Sequence, residues 1–385
     1  MSRTRVCIFH NMVAPYRLPL FDRLADEYEV VVLFGLERSP DRLWSTSLDG
    51  VRFSYRVLPA WVVGRVVLNP SLPFELFRRR PDVVIHAENV ENITSLLVIV
   101  ALRRLLGYRL VLWVEHGPRS EASMRVAQAS RRRFQRLLTQ IALWSMRAVR
   151  RLAYRRADAL LSMSGAASDR FIAGLGTSRP VFTGTQVVPR SIFLPAPRRE
   201  DRDPDRPVRV LFLGYLVPRK NIDSLIRAFV RTASGREELV IAGAGPELEY
   251  LESLATDRTD VTFAGYVEGE EKVALLRDAD LLALPSFDEP WGLVVNEALF
   301  YGLPALVSRS AASSVLINDG VNGLLFDPEQ QRELESQLRR FFSDPELRSR
   351  LALGAAAIDL EQVVGVNHGV DHIQRALASL VQAHS

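Results

Sequence analysis

The sequence predicts an α/β protein built from two doubly wound domains with parallel sheets. Three observations carry that prediction. Short β-branched runs alternate with amphipathic helical stretches along all 385 residues, which is the signature of parallel βαβ units. The charge changes sign near mid-chain: residues 1–190 hold 29 arginines and 15 acids, whereas residues 191–385 hold 20 basic and 30 acidic groups. Between Pro195 and Pro207 stand four prolines and no aliphatic residue larger than alanine, a composition that cannot form a core element and reads as an exposed linker.

Taken in order, the first half predicts strands at Val6–Phe9, Val30–Phe34, Asp82–His86, Leu110–Val114 and Ala159–Met163, with helices between them. The second half repeats the architecture at Val208–Leu213, Glu238–Ala242, Val261–Ala264, Asp280–Leu284 and Pro304–Val307. Helical patterns follow at Pro328–Phe341 and Pro345–Ala357, and a last helix from about Gly369 to Gln382. The expected organisation is an N-terminal domain over 1–190, a linker over 191–207, a second domain over 208–368 and a C-terminal helix over 369–385 that packs back on the first domain. Ligands of doubly wound domains bind at the carboxyl ends of the strands, and with two such domains the cleft between them is the expected site.

Composition narrows the function classes. The net charge of +4 points to no particular partner until the two halves are separated. Cys7 is the single cysteine, which excludes a disulfide framework or a cysteine zinc site within one chain and fits a reducing, cytoplasmic compartment. His368 and His372 share a helical face near the chain end and read as surface residues rather than metal ligands. Asp278 and Asp280 form an acidic pair where a helix hands over to a strand, a weak metal signal. The first residues run straight into an apolar strand, which predicts no secretory leader. The longest apolar stretch, Ile93 to Leu102, is interrupted by Arg103 and Arg104, far short of the ~20 residues that span a bilayer.

Three segments carry chemistry. In the first, Leu284 to Ser308, a strand turns through proline and glycine into a helix that ends near Gly302. Glu289 and Glu297 lie eight residues apart, about 12 Å if the interval is helical. Such a pair could grip two ends of an elongated polar ligand; a capping carboxylate with a solvated helix glutamate would read the same way. The helix start at Gly292 and Leu293 favours an anion. In the second segment, Val210 to Phe229, a strand enters a loop with Gly214 and Pro218, followed by a helix from about Asn221. Arg219 and Lys220 stand at that helix mouth, either to meet a phosphate or as a solvated basic pair. Only Lys220 and Lys272 occur against 47 arginines, so a lysine there stands out from composition. The third segment is the glycine-rich turn with Gly243, Gly245 and Pro246. It lacks the third glycine of the dinucleotide fingerprint, and the loop after the first strand, Phe9 to Pro15, has none, which argues against a nicotinamide dehydrogenase.

With these segments in order, the chain resembles the retaining glycosyltransferases of family 4, which have the GT-B fold of two Rossmann-like domains facing a central cleft. The resemblance is strong over roughly 207–345 and looser before it. Its most specific element is Glu-x7-Glu, matched by Glu289 and Glu297 with Gly292, Leu293 and Ala298 in place. It implies that Glu289 holds hydroxyls of a donor sugar and Glu297 the ribose of its nucleotide. The turn at Gly243 and Gly245 and the Phe263–Val267 run are also family-like, the latter placing Tyr266 and Val267 near the base. Family members read Gly-Arg-Leu before the lysine; here Gly214 is followed by Tyr215, with Lys220 kept and Arg219 beside it to meet a diphosphate. In the first half, Glu115-His-Gly-Pro118 follows a strand where a family histidine sits near the donor sugar, so His116 is the candidate there. Arg17 and Glu88 are candidate acceptor-side groups.

The resemblance implies transfer of a hexosyl-type sugar from a nucleotide-diphosphate donor to an acceptor hydroxyl with retention. No nucleophile is evident, and in this family the departing phosphate is held to take the acceptor proton in a front-face attack. The setting implied is bacterial cell-surface polysaccharide, lipopolysaccharide or glycolipid synthesis, with a lipid-linked or saccharide acceptor. Neither cofactor nor metal is expected. A sugar-nucleotide epimerase and a non-catalytic partner subunit are the alternatives; the second takes weight from Tyr215 and loses it to the intact Glu289, Glu297 and Lys220 set.

Arg119 to Arg156 holds eleven arginines against the single acid Glu121 before Asp158. The apolar residues Phe134, Leu137, Leu138, Ile141, Trp144, Ala148 and Leu152 keep helical spacing between them. This 119–156 region predicts docking on an anionic membrane surface at the inner face of the cell membrane; the same pattern also fits a stripe packed on its own sheet with solvated arginines. No nucleic-acid recognition motif accompanies it.

Overall fold

A computed structural model describes residues 3–37, 47–63, 66–89, 91–114, 148–162, 178–184, 186–188, 193–194 and 206–382. The chain divides into two compact units. The first takes residues from Met1–Pro118, Ser130–Ile192 and Val364–Ser385, and the described residues of the second lie within Phe193–Val363.

The first unit is built on a seven-stranded sheet: β1 (Arg5–Met12), β2 (Glu29–Leu36), β3 (Ser54–Val57), β6 (Val83–Glu88), β7 (Arg109–Val114), β8 (Ala159–Ser162) and β9 (Val181–Thr183). Their order is β3-β2-β1-β6-β7-β8-β9, and every neighbouring pair is parallel. All six residues of β6 are buried, as expected for an inner parallel strand covered on both faces. One face packs on α1 (Leu18–Leu24) and the other on α2 (Leu72–Arg79) and α3 (Ile93–Leu106), joined by helical residues 148–156, here α4. A separate antiparallel hairpin, β4 (Trp61–Val63) with β5 (Val66–Leu68), stands apart from the main sheet.

The second unit carries β10 (Val208–Leu213), β11 (Glu237–Ala242), β12 (Val261–Gly265), β13 (Leu281–Leu284), β14 (Ala305–Ser308) and β15 (Gly323–Phe326). They form one parallel sheet in the order β12-β11-β10-β13-β14-β15. One face of that sheet is covered by α5 (Ile222–Thr232), α6 (Leu248–Ser253), α9 (Gln331–Ser343) and α10 (Pro345–Ala357). Two further helices, α7 (Gly269–Asp278) and α8 (Leu293–Phe300), follow β12 and β13.

The chain then enters α11 (Leu360–Val364) and α12 (Val366–Gln382). Val370, Ile373, Ala376 and Leu377 of α12 are buried in the core of the first unit with Leu20 and Phe21, and Val188 N–H donates to the Val364 carbonyl at 2.9 Å. This last helix starts three residues before Gly369, because Val366 already packs against that core. Among the described residues, no helix is long and apolar enough to cross a membrane.

Candidate functional site

In the second unit the sequence candidates converge on the carboxyl ends of four adjacent strands, β12, β11, β10 and β13. The strand order reverses between β10 and β13, which is where open α/β sheets hold ligands. Beyond β10 and β11 the ladder continues into the loops: Gly214 N–H donates to the Ala242 carbonyl at 3.0 Å, Leu216 N–H to Ala244 at 2.9 Å, and Gly243 N–H to Gly265 at 2.6 Å. The approach is close because it is made of glycine. Gly243 has φ +147°, and a Cβ there would lie 1.8 Å from the Gly214 carbonyl oxygen. On either side of this turn, Tyr215 and Tyr266 stand half-exposed, with the Tyr266 hydroxyl donating to Glu268 at 2.9 Å. Val267 beside it is buried.

The loop after β10 is stitched to the loop after β13. Pro218–Lys220 forms one 3-10 turn, and Asn221 adopts the left-handed conformation with φ 55°. Its side-chain amide donates to the Pro285 carbonyl at 3.1 Å, and Phe287 N–H donates to the Arg219 carbonyl at 2.9 Å. These bonds bring Lys220, buried to 7% exposure, against Glu289, at 8%. The ammonium pairs with Glu289 Oε2. Arg219 Nη1 lies 3.3 Å from the same oxygen and donates to the Asp288 carbonyl at 3.0 Å. A carboxylate and two cations thus share one mostly dry corner, where the charges are far less screened than on the surface.

The interval from Glu289 to Glu297 is only half helical, which corrects the 12 Å spacing expected for a continuous helix. Glu289 stands in the loop, bridged to Ala311, and α8 begins at Leu293 with Gly292 as its N-cap at φ 93°. A Cβ on Gly292 would lie 2.7 Å from Leu284 and 3.2 Å from Glu289 Cγ, so the turn that presents Glu289 requires glycine. Glu297, in the second turn of α8, accepts from Lys272 Nζ at 2.8 Å. Each lysine of the chain therefore pairs with one glutamate of the pattern. Near Glu297, burial followed by the carboxylate charge raises the Tyr301 phenol above its usual range. Asp278 and Asp280 pair instead with Arg209 and Arg206, and among the described residues no group of three metal-ligating side chains occurs.

In the first unit, Arg17 is 1% exposed. Its guanidinium donates to Gln186 at 2.8 Å and lies 4.2 Å over the Trp113 ring, a cation–π contact strengthened by burial. Glu88 is 3% exposed, ion-paired with Arg150 and accepting from the Tyr154 hydroxyl. Burial and the Glu88 charge push the Tyr154 phenol well above its ordinary range. His116 and residues 119–147 of the basic region lie outside the described residues. Where the region is described, Arg150 is buried at 6% and Leu152 is exposed at 40%. That corrects the expected stripe at this end, because Ala153 and Tyr154 supply the packed face of α4. Neither Arg150 nor Tyr154 was legible as a partner of Glu88: they stand more than sixty residues away, and local spacing carries no trace of the contact.

Comparison with known proteins shows what the second unit is similar to. Residues 196–357 match the family Glycosyl transferases group 1. The chain is 28% identical over 276 residues to the alpha-D-kanosaminyltransferase of Streptomyces kanamyceticus, covering 67% of each chain. It is 33% identical over 235 residues to a GDP-mannose-dependent alpha-(1-6)-phosphatidylinositol monomannoside mannosyltransferase of Mycolicibacterium smegmatis, covering 55% of this chain and 61% of that one. Anabaena HepE, solved in complex with UDP, superposes with a TM-score of 0.72 at 19% identity, over 98% of this chain and 100% of that one. The fold is therefore α/β GT-B, and residues 196–357 are similar in sequence to the group 1 glycosyl transferases. Lys220, Glu289 and Gly243 fall inside the matched residues, whereas Arg17 and Glu88 fall outside them.

Proposed function

We propose that the protein is a retaining glycosyltransferase of the family 4 type, which moves a hexosyl group from a nucleotide-diphosphate sugar to an acceptor hydroxyl. The observation that carries this reading is the corner where buried Lys220 and Glu289 meet the part-exposed Arg219 at the carboxyl ends of β10 and β13. Negative charge grows on the diphosphate as the C1–O bond of the donor breaks. Cations already fixed in a dry site stabilise that charge without reorganising at the moment of reaction. Lys220 and Arg219 supply them, with the N-terminus of α8 beside them. Glu289 is the group that orients the sugar hydroxyls, and donor entry draws Lys220 from the carboxylate toward phosphate oxygen. The acceptor oxygen forms the new bond to C1 on the face the phosphate leaves, and its proton passes to the departing phosphate oxygen. Gly214, Gly243 and Gly245 leave backbone room for the nucleotide, Tyr215, Tyr266 and Val267 border its base, and Glu297 meets the ribose. His116 is assigned to the donor sugar, and Arg17 and Glu88 to the architecture behind the acceptor. The mannosyl relative acts on a phosphatidylinositol mannoside by its name, and another relative, LpsE of Rhizobium meliloti, is a lipopolysaccharide core glycosyltransferase. Both favour a lipid-linked or saccharide acceptor in bacterial cell-surface synthesis, met at the inner face of the membrane.

The test is nucleotide release from a panel of UDP-, GDP- and ADP-sugars with and without lipid-linked acceptors. Acceptor-dependent release that falls by about 10²–10³ in kcat for Glu289→Ala and for Lys220→Ala supports the assignment. Near wild-type rates in both variants refute it. Donor conversion that needs no acceptor identifies an epimerase instead, and absence of both turnover and donor binding identifies a non-catalytic subunit.

A further inference from the structure

Donor entry changes what surrounds the Glu289 carboxylate. In the donor-free protein its Oε2 is held by the Lys220 ammonium, with Arg219 Nη1 at 3.3 Å. These are the two cations that a diphosphate calls away, and Glu289 itself is buried. A carboxylate left without a counter-charge in such surroundings either takes up a proton or finds other donors. A protonated Glu289 would lose half of its acceptor capacity, and sugar hydroxyls would meet a weaker partner.

Two fully buried serines stand where such donors are needed. Ser286 follows β13 by two residues, and its hydroxyl lies 3.4 Å from Glu289 Oε2, a long contact while the ammonium holds that oxygen. The preceding carbonyl, of Pro285, is fixed by the Asn221 amide at 3.1 Å. Ser313 lies in the 3-10 turn Ala312–Leu316 and is brought to the site by backbone bonds. Ala312 N–H donates to the Glu289 carbonyl at 3.1 Å and Ser313 N–H to the Trp291 carbonyl at 3.0 Å, beside the parallel bridge from Glu289 to Ala311. Among the described residues the Ser313 hydroxyl has no hydrogen-bond partner, a rare and costly state for so buried a group. It lies 3.0 Å, and Glu289 Cγ 3.2 Å, from the point where a Cβ on Gly292 would stand. Because that residue is glycine, no side chain of its own separates the hydroxyl from the carboxylate stem.

We infer that Ser286 and Ser313 are positioning residues that keep Glu289 ionised once the donor has drawn Lys220 and Arg219 away. The inference rests on the transferase reading of this corner and adds what takes over from the cations. As Lys220 leaves, the carboxylate settles toward Ser286, whose long contact shortens to a charge-assisted bond, and a turn of the Glu289 side chain brings it within reach of Ser313. A hydroxyl suits this duty because it donates to a carboxylate without carrying a charge that the diphosphate would attract. In the donor-free protein the Ser313 hydroxyl is a donor held in reserve.

The experiment is isothermal titration calorimetry of the full-length protein with UDP and with GDP, each in two buffers of different ionisation enthalpy at about pH 6, which counts the protons taken up on binding. In the wild type Glu289 stays ionised throughout. Ser286→Ala/Ser313→Ala is expected to take up an additional fraction of a proton per nucleotide bound. At about pH 7.5 it should bind about tenfold more weakly, the effect of one hydrogen bond to a charged group. The difference narrows as the pH falls, since protonation relieves the unpaired charge. Adding Glu289→Gln to the double variant should abolish the additional uptake, which assigns the proton. A role in packing alone would weaken binding without moving a proton. Should the double variant lose the wild-type melting temperature, each single serine variant is read in the same way. Proton uptake equal to that of the wild type, whether or not affinity changes, overturns the inference alone, as does an additional uptake that survives Glu289→Gln. A wild type that binds neither nucleotide overturns the transferase reading and this inference with it.

Discussion

Replacing Arg150 by Met tests whether the first unit is held together by a buried ion pair or merely carries one on its surface. Arg150 is 6% and Glu88 3% exposed. Glu88 closes β6, every residue of which is buried. In the variant the carboxylate keeps the Tyr154 hydroxyl but loses its counter-charge in a region where water does not reach it. Breaking one side of such a pair costs about 3–5 kcal/mol, because an uncompensated charge stays inside. For a unit of this size that corresponds to a fall of about 6–20 °C in its melting temperature. Removing both charges with Glu88→Leu/Arg150→Met should recover about 2 kcal/mol or more, since a buried pair and an apolar replacement differ little. Urea unfolding followed by tryptophan fluorescence reads the effect, four of the five tryptophans lying within the first 190 residues. An Arg150→Met protein within about 1 kcal/mol of wild type, with no coupling in the double-mutant cycle, would refute the buried-pair reasoning and return Arg150 to a solvated basic face.

Gly243→Ala should cost about 3 kcal/mol or more or abolish soluble expression, because the new Cβ meets a backbone oxygen that cannot move aside. Gly214→Ala, where the added carbon reaches the Phe212 ring only at 3.4 Å, should stay within about 1 kcal/mol of wild type in the same urea titration. Burial, with the His10 charge second, lowers His86 to about 3. The unfolded chain therefore binds that proton first: the stabilisation is complete above about pH 6.5 and is lost at up to about 1.4 kcal/mol per pH unit as the pH falls toward 3. His86→Phe keeps the stack on Phe9, 5.2 Å between ring centroids, and should flatten this acid slope in unfolding midpoints measured at pH 7, 5 and 4; an unchanged slope would show that another group carries it.

The inner strands were legible because burial on both faces writes itself into the chain as unbroken runs, as in Leu281–Leu284, all of it buried. Edge strands lack that signature. Three of the four residues of β3 are exposed, β9 is only three residues long, and β15 opens on Gly323, so each reads locally as loop. The hairpin at Trp61–Leu68 was missed for the opposite reason: its apolar run resembles a core strand, yet all of β4 lies outside the core. At the site, Glu289, Glu297 and Lys220 were legible from spacing and from the scarcity of lysine. Their partnership was not, since Lys220 and Glu289 are 69 positions apart and meet only because β10 and β13 are neighbours in the sheet.

The charge asymmetry acquires a mechanism once the pairs are known. In the first unit arginines gather around single carboxylates: three on Glu75, Arg103 and Arg109 on Asp158, and Arg150 on Glu88. A planar guanidinium with five fixed donors suits this bracing, because it can bond a carboxylate and still reach a neighbouring carbonyl, as Arg103 does with Arg156. Lysine is a compact point charge on a flexible stem and braces less well. In a chain of 47 arginines, the two lysines pair with the two glutamates of the pattern, Lys220 on Glu289 and Lys272 on Glu297. Under the transferase reading, donor binding has to separate each of these pairs, and an ammonium can swing from carboxylate to phosphate or ribose at less geometric cost than a fork held at several points. On that reading lysine at these two positions suits an exchangeable contact, and the arginines on Glu75, Asp158 and Glu88 suit permanent ones.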